Sequence, residues 1–246
     1  MLAVSPREAQ NAARYPCRPA YAAYRIGPEN SLLRQSLPIH TQGGLLCLSD
    51  QEAPAVPDSE ALADALTQEC ARRDYPGAVL DFESPPRQDL LDLARALGQR
   101  FHRQRRTLLL PEPYAVPGGT VLLNSAVSGG DLGQYLREGK QRWRQAALDL
   151  QRLRMDFPLP CPDGEGAYLT AAQLCRLRAG RTVFYSKELG VRYFTYRQGS
   201  ASRFVLLDDG DTLRRKLALG AQLGITRGLL TMPECGDVLA EVLASV

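Results

Sequence analysis

Short apolar runs that do not alternate, most of them closed by an acid, a proline or a glycine, recur along this chain between stretches of helical periodicity. The runs at 21–26, 43–50, 75–83, 107–114, 120–126, 182–186 and 227–234 predict strands. Helices are predicted at 58–73, 88–103, 131–153, 170–177, 211–223 and 237–244. The first is well marked: Asp58 and Ser59 are good N-cap residues, and Leu62, Ala65, Leu66 and Cys70 follow at helical spacing. Runs at 191–196 and 203–207, flanking Gln198-Gly-Ser-Ala-Ser202, read as a hairpin. Residues 157–166 read as a loop. Residues 1–20 are polar, carry Pro6, Pro16 and Pro19, and are expected to form an outer arm.

Strands that alternate with helices, and are apolar on both faces, belong to a parallel sheet covered on both sides. Where the polar residues fall decides between an open sheet and a closed one. Asp50, Asp81, Glu83, Glu112, Asn124 and Glu234 all end their strands, and in a barrel those ends share one rim, the rim that carries active sites. No glycine-rich phosphate fingerprint follows the first strand, which removes the main support for a dinucleotide-binding sheet. The expected fold is therefore an α/β (β/α)8 TIM-type barrel, with room for irregularity or for the loss of one strand and helix. It spans residues 21–246 as a single domain, with a small β-hairpin insertion before the last helix and strand.

Composition narrows the class further. The net charge of +3 comes from arginines spread along the chain, clustered only at 103–106 and 214–216, without the concentrated basic stripe of a nucleic-acid binder. Six cysteines without a CxxC pair, and only two histidines, His40 and His102, argue against a zinc site and for reduced thiols, so neither metal nor cofactor is expected. Trp143 and Cys47 read as core residues, and the histidines as surface ones. No apolar stretch reaches about 18 residues and no signal-peptide pattern opens the chain, so the expectation is a cytoplasmic protein without membrane contact. The sequence sets no oligomeric state.

The richest stretch is 75–83, Tyr-Pro-Gly-Ala-Val-Leu-Asp-Phe-Glu, a buried run that turns polar at once and is followed by Pro85 and Pro86. Strand side chains alternate, so Asp81 and Glu83 point one way and Phe82 the other. Two such acids raise one another's pKa, which suits acid/base work near neutral pH.

This stretch resembles the strand motif Asp-Gly-x-Asp-x-Asp-x-Glu of the family 18 glycoside hydrolases, the chitinase-like barrels. Gly77, Asp81 and Glu83 match, whereas Pro76 and Val79 stand where the family has acids. A second block resembles the C-terminal part of the branch that includes spore-cortex lytic and germination proteins. It comprises Tyr193-Phe-Thr-Tyr196, Asp208-Asp209, Thr212-Leu213, Lys216, Leu223-Gly224 and Arg227-Gly228.

The resemblance implies hydrolysis of an N-acetylglucosamine-containing glycan, peptidoglycan or chitin-like, with the substrate's acetamido oxygen as nucleophile. It assigns Glu83 as acid/base and Asp81 as stabiliser of the acetamide, and it allows a spore association. Glu112, Tyr114, Asn124, Asp50, Glu234 and Tyr24 are candidate substrate-binding residues. The family's sixth-strand Tyr and final-strand Trp are missing; Leu122-Leu-Asn-Ser-Ala126 and Thr231-Met-Pro-Glu234 stand in their places. Two alternatives follow: a catalytically impaired barrel that binds a carbohydrate or protein partner, or an unrelated barrel enzyme using the acid ring on another small molecule.

Overall fold

The structure is a computed structural model and describes residues 1–36, 43–127 and 130–244. His40, Ser128 and Gly129 lie outside the described residues. Eight parallel strands form the barrel: β1 (Leu2–Val4), β2 (Pro19–Ile26), β3 (Leu45–Ser49), β4 (Gly77–Asp81), β5 (Thr107–Pro111), β6 (Thr120–Asn124), β7 (Ala146–Leu150) and β8 (Gly228–Thr231). The ring closes because β1 pairs in parallel with both β8 and β2. A short strand, Leu32–Arg34, adds antiparallel to the end of β2.

The absence of alternation in the strands has a direct cause: both faces are buried. Inward positions Ala3, Ala20, Leu45, Cys47, Val79, Leu109, Leu122, Ala147 and Leu229 fill the barrel. Outward positions such as Leu46, Leu80, Leu110, Leu123 and Leu148 pack under the helices. Those helices are α1 (Ser59–Arg72), α2 (Gln88–Arg103) and α3 (Leu132–Arg142), then α4 (Ala171–Arg178) outside the ring, α5 (Gly210–Gln222) and α6 (Leu239–Leu243). α1 and α3 begin where Asp58 and Asp131 accept backbone N–H groups of their first turns. α5 is capped by Asp209, in a reciprocal pair with Thr212, two residues before the start of the helix predicted at 211–223.

Four sequence expectations are corrected. The residue range 131–153 is not one helix: α3 stops at Arg142, Trp143 turns to extended geometry, and Ala146–Leu150 becomes β7. Its alanines and leucines favour helix locally, but pairing with β6 and β8 on either side overrides propensity. Residues 2–4, expected in an outer arm, form the closing strand of the barrel. The predicted hairpin is part of a larger insertion between β7 and β8. It is a five-stranded antiparallel sheet that also takes in Arg154–Leu159, part of which reads as loop in the sequence. Trp143 is only half-buried, and its indole N–H donates to Glu112. All six cysteines are free thiols, and Cys70 and Cys235 are buried as deeply as Cys47. Among the described residues no helix is long and apolar enough to cross a membrane.

Gly77 is required by close approach. A Cβ there would run into the Thr107 carbonyl of β5, backbone that cannot swing aside. Gly77→Ala is expected to cost about 2 kcal/mol, read as a lower midpoint in urea unfolding with an unchanged slope.

Candidate active site

The inward series that fills the barrel continues upward into polar residues. On β4 it runs Gly77, Val79, Asp81 and then Glu83; on β7 it runs Ala147, Asp149 and then Gln151. Because many inner residues are small, Ala3, Ala22, Val79 and Cys47 among them, space remains above them. A cavity of about 200 Å³ opens at the C-terminal mouth, and Asp81, Glu83, Asp149, Gln151 and Glu234 form its polar wall. Among the described residues no arginine, lysine or histidine lines it.

Four carboxylates around so small a space cannot all ionise freely. Asp81 is reachable by solvent, yet neighbouring protein groups strip much of its hydration. That loss, then the charges of Glu83, Asp50 and Glu234, pushes it up to about 6. Asp149 is pushed up to about 7, chiefly by lost hydration. The Gln151 amide opposes this by donating at 2.8 Å, and the charges of Asp81, Glu234 and Glu83 add to the rise. Asp149 therefore keeps a share of its proton near neutrality, whereas Asp81 is mostly ionised there and takes up a proton as pH falls through about 6. Among the described residues no group of three or more His, Cys, Asp or Glu side chains is placed to hold a metal ion.

A raised carboxyl pKa stabilises the fold below the unfolded value and loses that contribution as pH rises through the folded one. For Asp149 the window runs from its ordinary value of 3.8 to about 7. Asp149→Asn is therefore expected to be more stable than the parent at pH 8 by about 2 kcal/mol, discounted for partial exposure. That is about 5 °C in Tm, and the difference should vanish at pH 4 in the same thermal scans.

The remaining candidates take different places. Asp50 is buried and turned sideways, accepting the Glu83 N–H at 3.0 Å, the Ser84 N–H at 3.2 Å and the Ser84 hydroxyl. It fixes the backbone that carries Glu83. Tyr114 is buried outside the ring, edge-on to Phe82 with centroids 5.1 Å apart, and its hydroxyl accepts the Arg87 N–H. Phe82 does point away from the acids, as alternation predicts. Glu112 serves as an acceptor for Arg142 and the Trp143 indole.

Asn124 sits in register with Asp149 and donates to Gln151 at 3.1 Å, so it orients the amide that in turn holds Asp149. Glu234 lines the cavity. Tyr24 does not reach it. A register shift in β2 between Tyr21 and Tyr24 turns Tyr24 outward, and its hydroxyl donates to Glu69 of α1 at 2.9 Å.

Sequence reasoning missed Asp149 and Gln151. The signal was present, since Ala-Leu-Asp-Leu-Gln places polar residues at every second position beyond an apolar start, but the helical pattern of the preceding segment concealed it.

No family model and no curated protein matches the chain by sequence. Solved structures do match. A chitinase from Chromobacterium violaceum superposes with a TM-score of 0.67 at 14% identity, over 98% of this chain and 97% of that one. A glycoside hydrolase family 18 N-acetylglucosaminidase from Paenibacillus barengoltzii gives 0.68 at 12%, over 99% and 98%. The spore cortex-lytic enzyme SleL of Bacillus megaterium gives 0.62 at 12%, over 94% and 69%. The structural neighbours are thus chitinases and spore-cortex-lytic proteins, and at these identities what is shared is the fold.

Proposed function

We propose that this barrel hydrolyses an N-acetylglucosamine-containing glycan, with Glu83 as acid/base and Asp81 as the group that steadies the substrate's acetamide. The observation that carries the reading is the cavity: Asp81 and Glu83 leave β4 on one side and open into one barrel mouth, walled by further carboxylates.

Glu83 gives its proton to the glycosidic oxygen as the C1–O bond breaks and the alcohol departs. The acetamido oxygen closes on C1, and Asp81 accepts a hydrogen bond from the acetamide N–H, whose positive character grows. Water then attacks C1, the Glu83 carboxylate takes its proton, the C1–acetamide bond opens, and the sugar leaves with its configuration retained. Asp149, whose raised pKa keeps it partly protonated near neutrality, adds a carboxyl to the same wall, in a site where Val79 leaves Asp81 without an acid two residues behind it.

Val79 and Thr231, which offer neither the third acid of the motif nor an aromatic floor, favour a second reading, a barrel that binds the sugar without cutting it. Reducing-end release from N-acetylglucosamine oligomers and from peptidoglycan separates the two. Product from either supports hydrolysis; saturable binding with no product supports the second reading, and neither binding nor product removes both.

A further inference from the structure

A second pocket, of about 460 Å³, lies between the insertion and the barrel loop after β8. Its chemistry is opposite to that of the acid cavity. Arg152, Arg154 and Arg178 line it, with Asp237 the acid among its lining residues. One face of α4, Ala171, Leu174, Cys175 and Arg178, forms the wall; these positions are spaced i, i+3, i+4 and i+7.

The three arginines are not equivalent. Arg152 is engaged by the protein: it donates to the Asp208 and Glu234 carbonyls and pairs with Asp237 at 2.5 Å. Through Glu234 it joins this pocket to the acid cavity. Arg154 is only 8% exposed, yet among the described residues no carboxylate pairs with it. One of its terminal nitrogens donates to the Tyr168 hydroxyl at 2.5 Å, the guanidinium lies over the Tyr168 ring at 5.3 Å, and its buried Nε–H has no hydrogen-bond partner among the described residues. Arg178 extends from the last turn of α4, exposed, with no ion pair among the described residues.

Arg154 and Arg178 line the pocket together, and guanidinium geometry is matched by a two-oxygen anion. We propose that this pocket is an oxyanion site in which Arg154 and Arg178 hold a carboxylate or phosphate group. Resting on the glycan-hydrolysing reading above, that group is an acidic substituent on a sugar next to the one over Glu83.

Cys175 provides a local reporter, since its exposed thiol lines the pocket. Alkylation of Cys175 by iodoacetate, followed by peptide mass mapping, is expected to slow several-fold as inorganic phosphate saturates the wild-type protein. The protection is lost in Arg178→Ala and in Arg154→Lys, the latter keeping the charge without the fork. Phosphate that gives the wild type no protection, or protection that survives Arg178→Ala, overturns the site.

A second arm compares binding of a neutral N-acetylglucosamine tetramer with that of a tetramer carrying carboxylated sugars. About tenfold tighter binding of the acidic tetramer, erased by Arg178→Ala, assigns the anion to the glycan. Equal binding with phosphate protection intact keeps the oxyanion site and overturns the glycan as its source. Phosphate protection with neither tetramer bound likewise keeps the site and counts against the hydrolase reading alone.

Discussion

Glu83→Gln is expected to reduce turnover of N-acetylglucosamine oligomers by about 10²- to 10⁴-fold, the range over which a positioned general acid/base acts, while leaving oligomer binding within about twofold. The amide fills the same volume at the mouth and can still accept a hydrogen bond from a sugar hydroxyl, but it can neither donate a proton to the leaving oxygen nor take one from water. The backbone stays in place because Asp50 holds the residue through its N–H. The same substitution has an electrostatic signature independent of turnover. After lost hydration, the Glu83 charge is the largest cause of the high Asp81 pKa, so removing it moves the Asp81 titration down from about 6. Carboxyl carbon NMR reads that movement directly. A variant that keeps wild-type turnover removes Glu83 from the chemistry, whatever its effect on Asp81.

Parity along each strand explains which of these residues could be found from sequence. Once Val79 is inward, Asp81 and Glu83 are inward too, and a short apolar run ending in acids made that visible. The same count separates Asp149 and Gln151, in step with inward Ala147, from Asp50 and Glu112, out of step with inward Cys47 and Leu109. A position at a strand end gives the rim and not the direction of the side chain, and so Asp50 and Glu112 were grouped with the cavity although they turn away. Tyr24 shows the limit of parity itself. It is in step with inward Ala20 and Ala22, but the irregularity in β2 reverses it. β1 was illegible for a different reason: three apolar residues next to polar and proline-rich sequence carry no pattern, and only pairing with β2 and β8 makes them a strand. The alternation of strands and helices was enough for the barrel, because burial on both faces of every strand leaves so clear a mark.

The second block of resemblance contains the residue whose removal is expected to cost the fold most. Lys216, on the inner side of α5, is 1% exposed, and its ammonium donates to Asp208 at 2.8 Å and to the Ser125 carbonyl at 2.9 Å. Asp208 in turn accepts the Leu153 N–H and the Thr212 hydroxyl. One ion pair thus fastens four segments: the exit of β6, the entry and the exit of the insertion, and α5. Burial alone holds the Lys216 pKa down, and the charge of Asp208 opposes that. Lys216→Ala leaves a buried carboxylate without its counter-ion, which costs about 3–5 kcal/mol, or about 10 °C in Tm for a chain of this size. The Asp208→Ala, Lys216→Ala double variant removes both charges together. It is expected to recover part of that loss, so that the sum of the single effects exceeds the double by at least about 1 kcal/mol. Strictly additive losses in urea unfolding would mean that the pair is not coupled. If the pair is the fastening, hydrogen exchange in Lys216→Ala will rise first in residues 154–207, while β3 to β5 stay protected until global unfolding. A uniform rise across the chain would place the loss in the barrel core instead.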